Sequence, residues 1–177
     1  MLVGRVDNSI DDNNRMFMPA KYCEDFDIRH IDGVPETVGT GVGKEAKPGK
    51  LRKDYEGKCV IVHGIERCLY AFTLNGWEKF ISDLAGLPED DENIRDLLRH
   101  YYTSANYCDI DKQGRVTIPP IAREYAGISR ELATVGMFKM LEIWDRKAYE
   151  QSISGKDVKA LSNYASKLKR GALGHGA

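Results

Sequence analysis

The chain has 177 residues, with 26 Lys plus Arg against 27 Asp plus Glu and a formal net charge of −1. That length holds one domain or two small halves around a real core, and the ordinary composition fits a soluble globular protein. Near-neutrality excludes a strongly basic protein, so nucleic-acid contact would need positive charge gathered on one face.

Residues 1–7, MLVGRVD, predict a short strand, with Met1, Val3 and Arg5 on one face and Leu2, Gly4 and Val6 on the other. The segment MLVGRVDNSIDD lacks the apolar core of a signal peptide, and no apolar run in the chain is long enough to cross a membrane. A cytoplasmic location is therefore expected. IDDNNR follows, where Asp11 can accept N–H bonds from the turn after it. Asn14 stands at a position that needs positive φ, which Asn tolerates and Gly takes freely. Met16 and Met18 then alternate with Phe17, and Pro19 opens a short helix.

Residues 29–56 hold five glycines and two prolines with no sustained periodicity, which predicts a long solvated insertion. Its Lys44–Lys53 end is basic, so a flap adding non-specific nucleic-acid contact is the functional alternative. GTGVGK at 39–44 is not a phosphate loop, because Val38 and Glu45 replace the required Gly and Ser/Thr. KCVIVH, a turn at Gly64–Arg67 and CLYAF predict a hairpin. Asn75 with Glu78 predicts a capped helix whose apolar face is Trp77, Phe80, Ile81 and Leu84. Pro88 predicts the next helix start, with Glu89, Asp90, Asp91 and Glu92 in its first turn and an apolar stripe of Ile94, Leu97, Leu98 and Tyr101. Cysteines at 23, 59, 68 and 108 form no CxxC pair, which favours buried, reduced thiols. Cys59, His63 and Cys68 lie close in sequence, but their spacing fits no common zinc pattern, and no metal or cofactor is assigned.

The stretch IDKQGRVTIPPIAREYAGI repeats the earlier design. Asp111, Gly114, Arg115 and Pro119 lie 100 residues after Asp11, Asn14, Arg15 and Pro19. ELATVGMFKMLEIWD then predicts strand, turn and strand, with Gly136 in the turn region. It matches the earlier hairpin at an offset of 72: Gly64 with Gly136, Leu69 with Leu141, Phe72 with Trp144, Trp77 with Tyr149. The difference between the offsets, 28, is the length of the 29–56 insertion. Ser154 with Asp157 marks a last helix with Val158, Leu161, Tyr164 and Leu168 on one face, and GALGHGA is expected to fray.

Two homologous halves follow: 1–88 with the insertion, 89–153 with its leading helix, and a 154–177 helical tail. One half has too few strands for a stable sheet, so the halves must pair their strands about a pseudo-two-fold axis. The expected fold is α+β, a small mixed β barrel or clasped β layers decorated by helices, with the two Asp–Arg turns related by the axis. An Arg just after a tight turn can offer its planar fork to phosphate or to O6 and N7 of guanine. The alternative is an Asp–Arg pair that only fastens the turn. Lys112, Arg5 and Arg123 are secondary basic candidates. There is no nucleophile elbow, HExxH or phosphate loop, so an enzyme is not expected.

The paired turns IDDNNRMFMP and IDKQGRVTIP resemble AbrB/SpoVT-like swapped-hairpin domains. Two copies, the segments VIVHGIERCLYAFTLNGWEKF and ATVGMFKMLEIWDRKAYEQ, and the helix ending RHYYTSANYCDID together resemble the MraZ family over nearly all of residues 1–153 outside the insertion. The resemblance implies a homo-oligomeric ring that binds G-rich direct repeats in double-stranded promoter DNA upstream of its own division and cell-wall operon and represses it. It implies a nucleoid-associated location, no membrane, DNA contact by Arg15 and Arg115, and a turn-holding role for Asp11 and Asp111. The first copy departs from the family's Asp-x-Lys-Gly-Arg: it lacks the lysine and glycine and adds Asp12, so Arg115 is expected to be the stronger contact. A ring-forming interaction scaffold without DNA contact is the competing function.

Overall fold

A computed structural model describes residues 2–23, 25–26, 57–88 and 90–173. The 29–56 insertion with its basic end and most of GALGHGA lie outside the described residues. The chain divides into two compact units, Met1–Arg146 and Lys147–Ala177.

The first unit is built on one eight-stranded sheet. Its strands are β1 (Leu2–Ser9), β2 (Arg15–Phe17), β3 (Gly57–His63), β4 (Leu69–Thr73), β5 (Asn106–Ile110), β6 (Arg115–Thr117), β7 (Glu131–Phe138) and β8 (Leu141–Asp145). Their order is β1-β7-β8-β4-β3-β5-β6-β2. The end strands β1 and β2 meet through the Ile10–Met16 bridge, which nearly closes the sheet into a barrel. Every ladder is antiparallel, not mixed as expected. Each half's first strand pairs with the other half's hairpin: β1 on β7, β5 on β3. That exchange is why neither half has a sheet of its own.

The pseudo-two-fold axis passes through two ladders. Met16 pairs with Val116, flanked by Arg15 with Thr117 and Phe17 with Arg115. Tyr70 pairs with Glu142, flanked by Leu69 with Ile143 and Ala71 with Leu141. The sequence offsets of 100 and 72 are thus the two registers at which the halves meet. One detail differs. Cys59 pairs with Thr73 and Leu132 with Asp145, so β3 and β7 correspond at an offset of 73. The hairpin from Gly64 to Cys68 carries one more residue than that from Met137 to Met140. Gly64 therefore corresponds to Met137, and Gly136 lies inside β7, not in the turn. It pairs with Gly4, and a Cβ there would lie 2.5 Å from the backbone N of Val3. A glycine inside a strand commonly marks such close backbone approach.

The barrel interior is filled by Leu2, Ile10, Met16, Cys59, Ile61, Leu69, Ile110, Val116, Ile118, Leu132, Leu141 and Ile143. Each such aliphatic side chain contributes about 1.5–3 kcal/mol of transfer free energy. β3 and β4 are buried on both faces, so KCVIVH and CLYAF read as continuous apolar runs instead of alternating. Their outer face meets α2 (Leu74–Ala85) and α3 (Glu92–Ser104), where Phe72, Trp77, Phe80 and Tyr101 form a chain of aromatic contacts. α2 is capped by Thr73, whose hydroxyl accepts from Gly76 N at 3.0 Å, and not by Asn75. β4 runs straight into the helix, so its last residue becomes the cap. α3 likewise starts after Asp91, which accepts from Asn93 N at 2.8 Å, and not at Pro88.

Short helices α1 (Ala20–Cys23) and α4 (Pro120–Tyr125) follow the prolines of the two turns. Tyr22 of α1 donates its hydroxyl to Gly4 O at 2.6 Å. Tyr125 of α4 donates to Gly64 O at 2.6 Å and stacks on His63 at 3.9 Å between ring centroids. His100 Nε2 lies 3.2 Å from His63 O, and His63 N donates to Ser104 Oγ. α3, β3 and α4 are thereby joined at the His63 end of β3. The four cysteines are free thiols: 23, 59 and 68 are buried, Cys108 partly so. Burial pushes Cys68 up to about 12 and Cys108 to about 11.

The second unit holds most of α5 (Arg146–Ile153) and all of α6 (Val158–Leu173), whose first turn is capped by Asp157 through Lys159 N at 2.8 Å. No described helix is long and apolar enough to cross a membrane.

Candidate functional site

The two DxxxR turns have the same bonding. In the first, Asp11 Oδ1 accepts from the backbone N of Asn13 at 2.9 Å and of Arg15 at 3.0 Å. Its Oδ2 accepts from Arg15 Nε at 2.8 Å and lies 2.7 Å from Arg15 Nη2 in an ion pair. In the second, Asp111 Oδ1 accepts from Gln113 N at 2.9 Å and Arg115 N at 3.0 Å, and Oδ2 accepts from Arg115 Nε at 2.8 Å and lies 2.7 Å from Arg115 Nη2 in an ion pair. One carboxylate thus shapes the loop with one oxygen and orients the guanidinium with the other. Backbone bonds from Asn14 N to Asp11 O and Gly114 N to Asp111 O close each turn. Asn14 at φ 58 and Gly114 at φ 73 occupy the left-handed region, as the residue types predict.

Hydrogen bonds from the Arg15 side chain and backbone hold the Asp11 carboxyl at about 2, against an ordinary 3.8. Partial burial of Asp111 works against ionisation, but bonds from Arg115 and Gln113 outweigh it and hold this carboxyl low as well. A depressed carboxyl stabilises the fold above its ordinary value and loses that contribution as pH falls through the folded one. For Asp11 that window runs from 3.8 down to about 2, so its turn stays locked at neutral pH.

The register brings the two arginines together. Met16 and Val116 point into the barrel, so Arg15, Phe17, Arg115 and Thr117 point outward on the same face. Arg15 and Arg115 are diagonal neighbours across one antiparallel ladder, roughly 7–8 Å apart. Their side chains keep 30% and 21% exposure. Each donates Nε to its Asp and holds Nη2 in ion-pair contact with it, and beyond that ion pair the donors of Nη1 and Nη2 make no hydrogen bond among the described residues. Phe17, directly opposite Arg115, is half-exposed between the two turns; its alternation with buried Met16 and Met18 was the sequence signal for that placement.

The surroundings of the turns differ. Residues 111–115 hold Lys112 and Arg115 against Asp111, a local charge of +1. Residues 11–15 hold Arg15 against Asp11 and Asp12, a local −1. Lys112 is exposed within its turn. Asp12 lies 3.9 Å from Arg130 in an exposed ion pair. Arg5 sits away from the turns on β1, where its guanidinium grips Asp7 at 2.6 and 3.0 Å. Arg123, on α4, donates Nε to Ile128 O at 2.9 Å, Nη2 to Ser129 O at 2.8 Å and Nη1 to Asn14 Oδ1. It bridges the second half's helix to the first half's turn, a contact over 109 residues that local sequence does not reveal.

Comparison with known proteins points one way. A family model described as "MraZ protein, putative antitoxin-like" matches residues 101–169. A protein named transcriptional regulator MraZ from Acetivibrio thermocellus is 32% identical over 126 residues, covering 71% of this chain and 87% of the relative. A protein of the same name from Clostridium botulinum (strain Eklund 17B / Type B) is 31% identical over 149 residues, 84% of each chain. Another, from Halothermothrix orenii, is 33% identical over 107 residues, 60% of this chain and 75% of the relative.

Proposed function

This chain belongs to the MraZ family, and from that premise we propose that it is a transcriptional regulator that binds double-stranded DNA through its paired DxxxR turns. The placement of Arg15 and Arg115 on one outward face, each aimed by its own aspartate, carries this reading. An oriented guanidinium loses little freedom on binding, and its remaining N–H donors match phosphate oxygens or the O6 and N7 of guanine. The roughly 7–8 Å diagonal is about two base steps at 3.4 Å each, so both turns can address one groove segment. Arg115 with Lys112 is the stronger contact, because its turn carries local positive charge. Arg5 adds a peripheral contact along β1.

In this proposal the targets are G-rich direct repeats in the protein's own promoter, ahead of the division and cell-wall genes, and binding represses them. The protein acts as a homo-oligomeric ring in the cytoplasm at the nucleoid. A single subunit with net charge −1 binds weakly, and assembly supplies affinity by making later contacts intramolecular.

Gel-shift titration on tandem G-rich repeats at two salt concentrations tests the assignment. Arg115→Ala is expected to weaken binding roughly 10–100-fold and Arg15→Ala less, with the double variant losing specific binding. A folded double variant that binds like the wild type would overturn the mechanism and leave the scaffold function in its place.

A further inference from the structure

The first turn carries a side chain where the second has none. Asn14 and Gly114 are pseudo-symmetric partners, and both backbones are committed in the same way. Asn14 N donates to Asp11 O, and Asn14 O accepts from Ile118 N at 2.9 Å; Gly114 O accepts from Met18 N at 2.8 Å. What is new at Asn14 is the carboxamide, and Arg123 from the opposite half holds it. Three acceptors, Ile128 O, Ser129 O and Asn14 Oδ1, fix the plane of that guanidinium. The 100-residue counterpart of Arg123 is Cys23, a buried thiol resting against the Met18 and Pro19 carbonyls. The second turn therefore has neither the amide nor its clamp.

Arginine has only donors, so Asn14 must present its carbonyl oxygen to Arg123. The amide orientation is forced by chemistry. Nδ2, the other branch of the amide, carries two N–H donors and makes no hydrogen bond among the described residues; no buried side-chain nitrogen there lacks a partner, so Nδ2 is open to solvent. Asn14 immediately precedes Arg15 and is half-buried. We infer that Asn14 is a DNA-contacting residue of the first turn, and that Arg123 is a positioning residue that fixes its amide to offer N–H donors beside Arg15. The ligand is an acceptor atom of DNA, either a backbone phosphate oxygen or a base edge. This rests on the DNA-binding reading above. It explains how a turn with local charge −1 can keep a role: a neutral, oriented donor replaces the missing lysine.

The test is quantitative binding to a tandem G-rich duplex and to a scrambled duplex, with thermal unfolding in parallel. Asn14→Gly suits φ 58, so it is expected to fold normally and bind about tenfold more weakly. Arg123→Lys keeps the charge but loses the fork, and a loss of similar size is expected. In the Asn14→Gly background, Arg123→Lys is expected to cost no further affinity. Asn14→Asp keeps an acceptor for Arg123 but removes the donors, so its affinity should fall at least as far. A loss on both duplexes assigns the contact to phosphate; a loss confined to the G-rich duplex assigns it to a base edge. Wild-type binding by Asn14→Gly or Asn14→Asp, or an undiminished Arg123→Lys effect in the Asn14→Gly background, overturns the inference. If Arg115→Ala is harmless as well, the DNA-binding reading itself fails; if Arg115→Ala is damaging, only the role of Asn14 does.

Discussion

At the scale of single residues, Asp11 and Asp111 show how one side chain can make a turn and a site together. An Asp at the first position of a loop bonds the N–H groups two and four residues on, and the same carboxylate then meets the arginine that those bonds have placed. This was legible because the chemistry is local and occurs twice. Gly136 was not. It reads as a turn glycine from its neighbours, yet it sits opposite Gly4 where β1 and β7 approach too closely for a Cβ. Gly136→Ala places that carbon 2.5 Å from Val3 N and 2.6 Å from Leu2 C, both backbone atoms that cannot swing aside. The expected cost is about 1–3 kcal/mol, read as a lower midpoint in denaturant unfolding with an unchanged slope. An unshifted midpoint would show that β1 can move away freely.

Among elements, the joint at the His63 end of β3 ties α4 to β3 and α3. His63 stacks on Tyr125 while its carbonyl faces His100, and Arg67 lies 5.9 Å from the same tyrosine ring. Burial, then the neighbouring His100, pushes His63 below its ordinary 6.5. A histidine held low favours the fold above its ordinary value, and that contribution is lost as pH falls through the lowered one. Thermal unfolding should therefore show a Tm that falls as pH drops below the ordinary 6.5, and His63→Gln should flatten that decline. An identical pH profile for the variant would place the acid sensitivity elsewhere. The elements themselves were mostly visible in the chain, since the apolar stripes of α2 and α3 have helical spacing. Their starting points were not. Thr73 outcompetes Asn75 as a cap because the end of β4 already aims its hydroxyl at Gly76 N.

At the scale of the whole molecule, two halves exchange strands so that both arginines flank one axis. With a net charge of −1, affinity in the proposed mechanism depends on assembly and on local charge at the turns. Binding to a duplex with several repeats should exceed binding to a single repeat by roughly 10²–10⁴-fold and fall steeply with salt. Analytical ultracentrifugation beside the titration checks this. A folded monomeric variant with full affinity for the multi-repeat duplex would remove assembly from the mechanism.

The amino-acid sequence by itself determined the repeat, both DxxxR turns, the need for positive φ at residues 14 and 114, and the pairing of two halves. These follow from short-range chemistry and from periodicity, which a linear chain displays. Tertiary structure alone decided that Arg15 and Arg115 are diagonal neighbours, that Gly136 lies under β1, and that Arg123 reaches Asn14 across 109 residues. Those facts depend on strand register and on contacts between halves. A one-residue change in hairpin length, such as that separating the 72 and 73 offsets, redirects them without leaving a local trace.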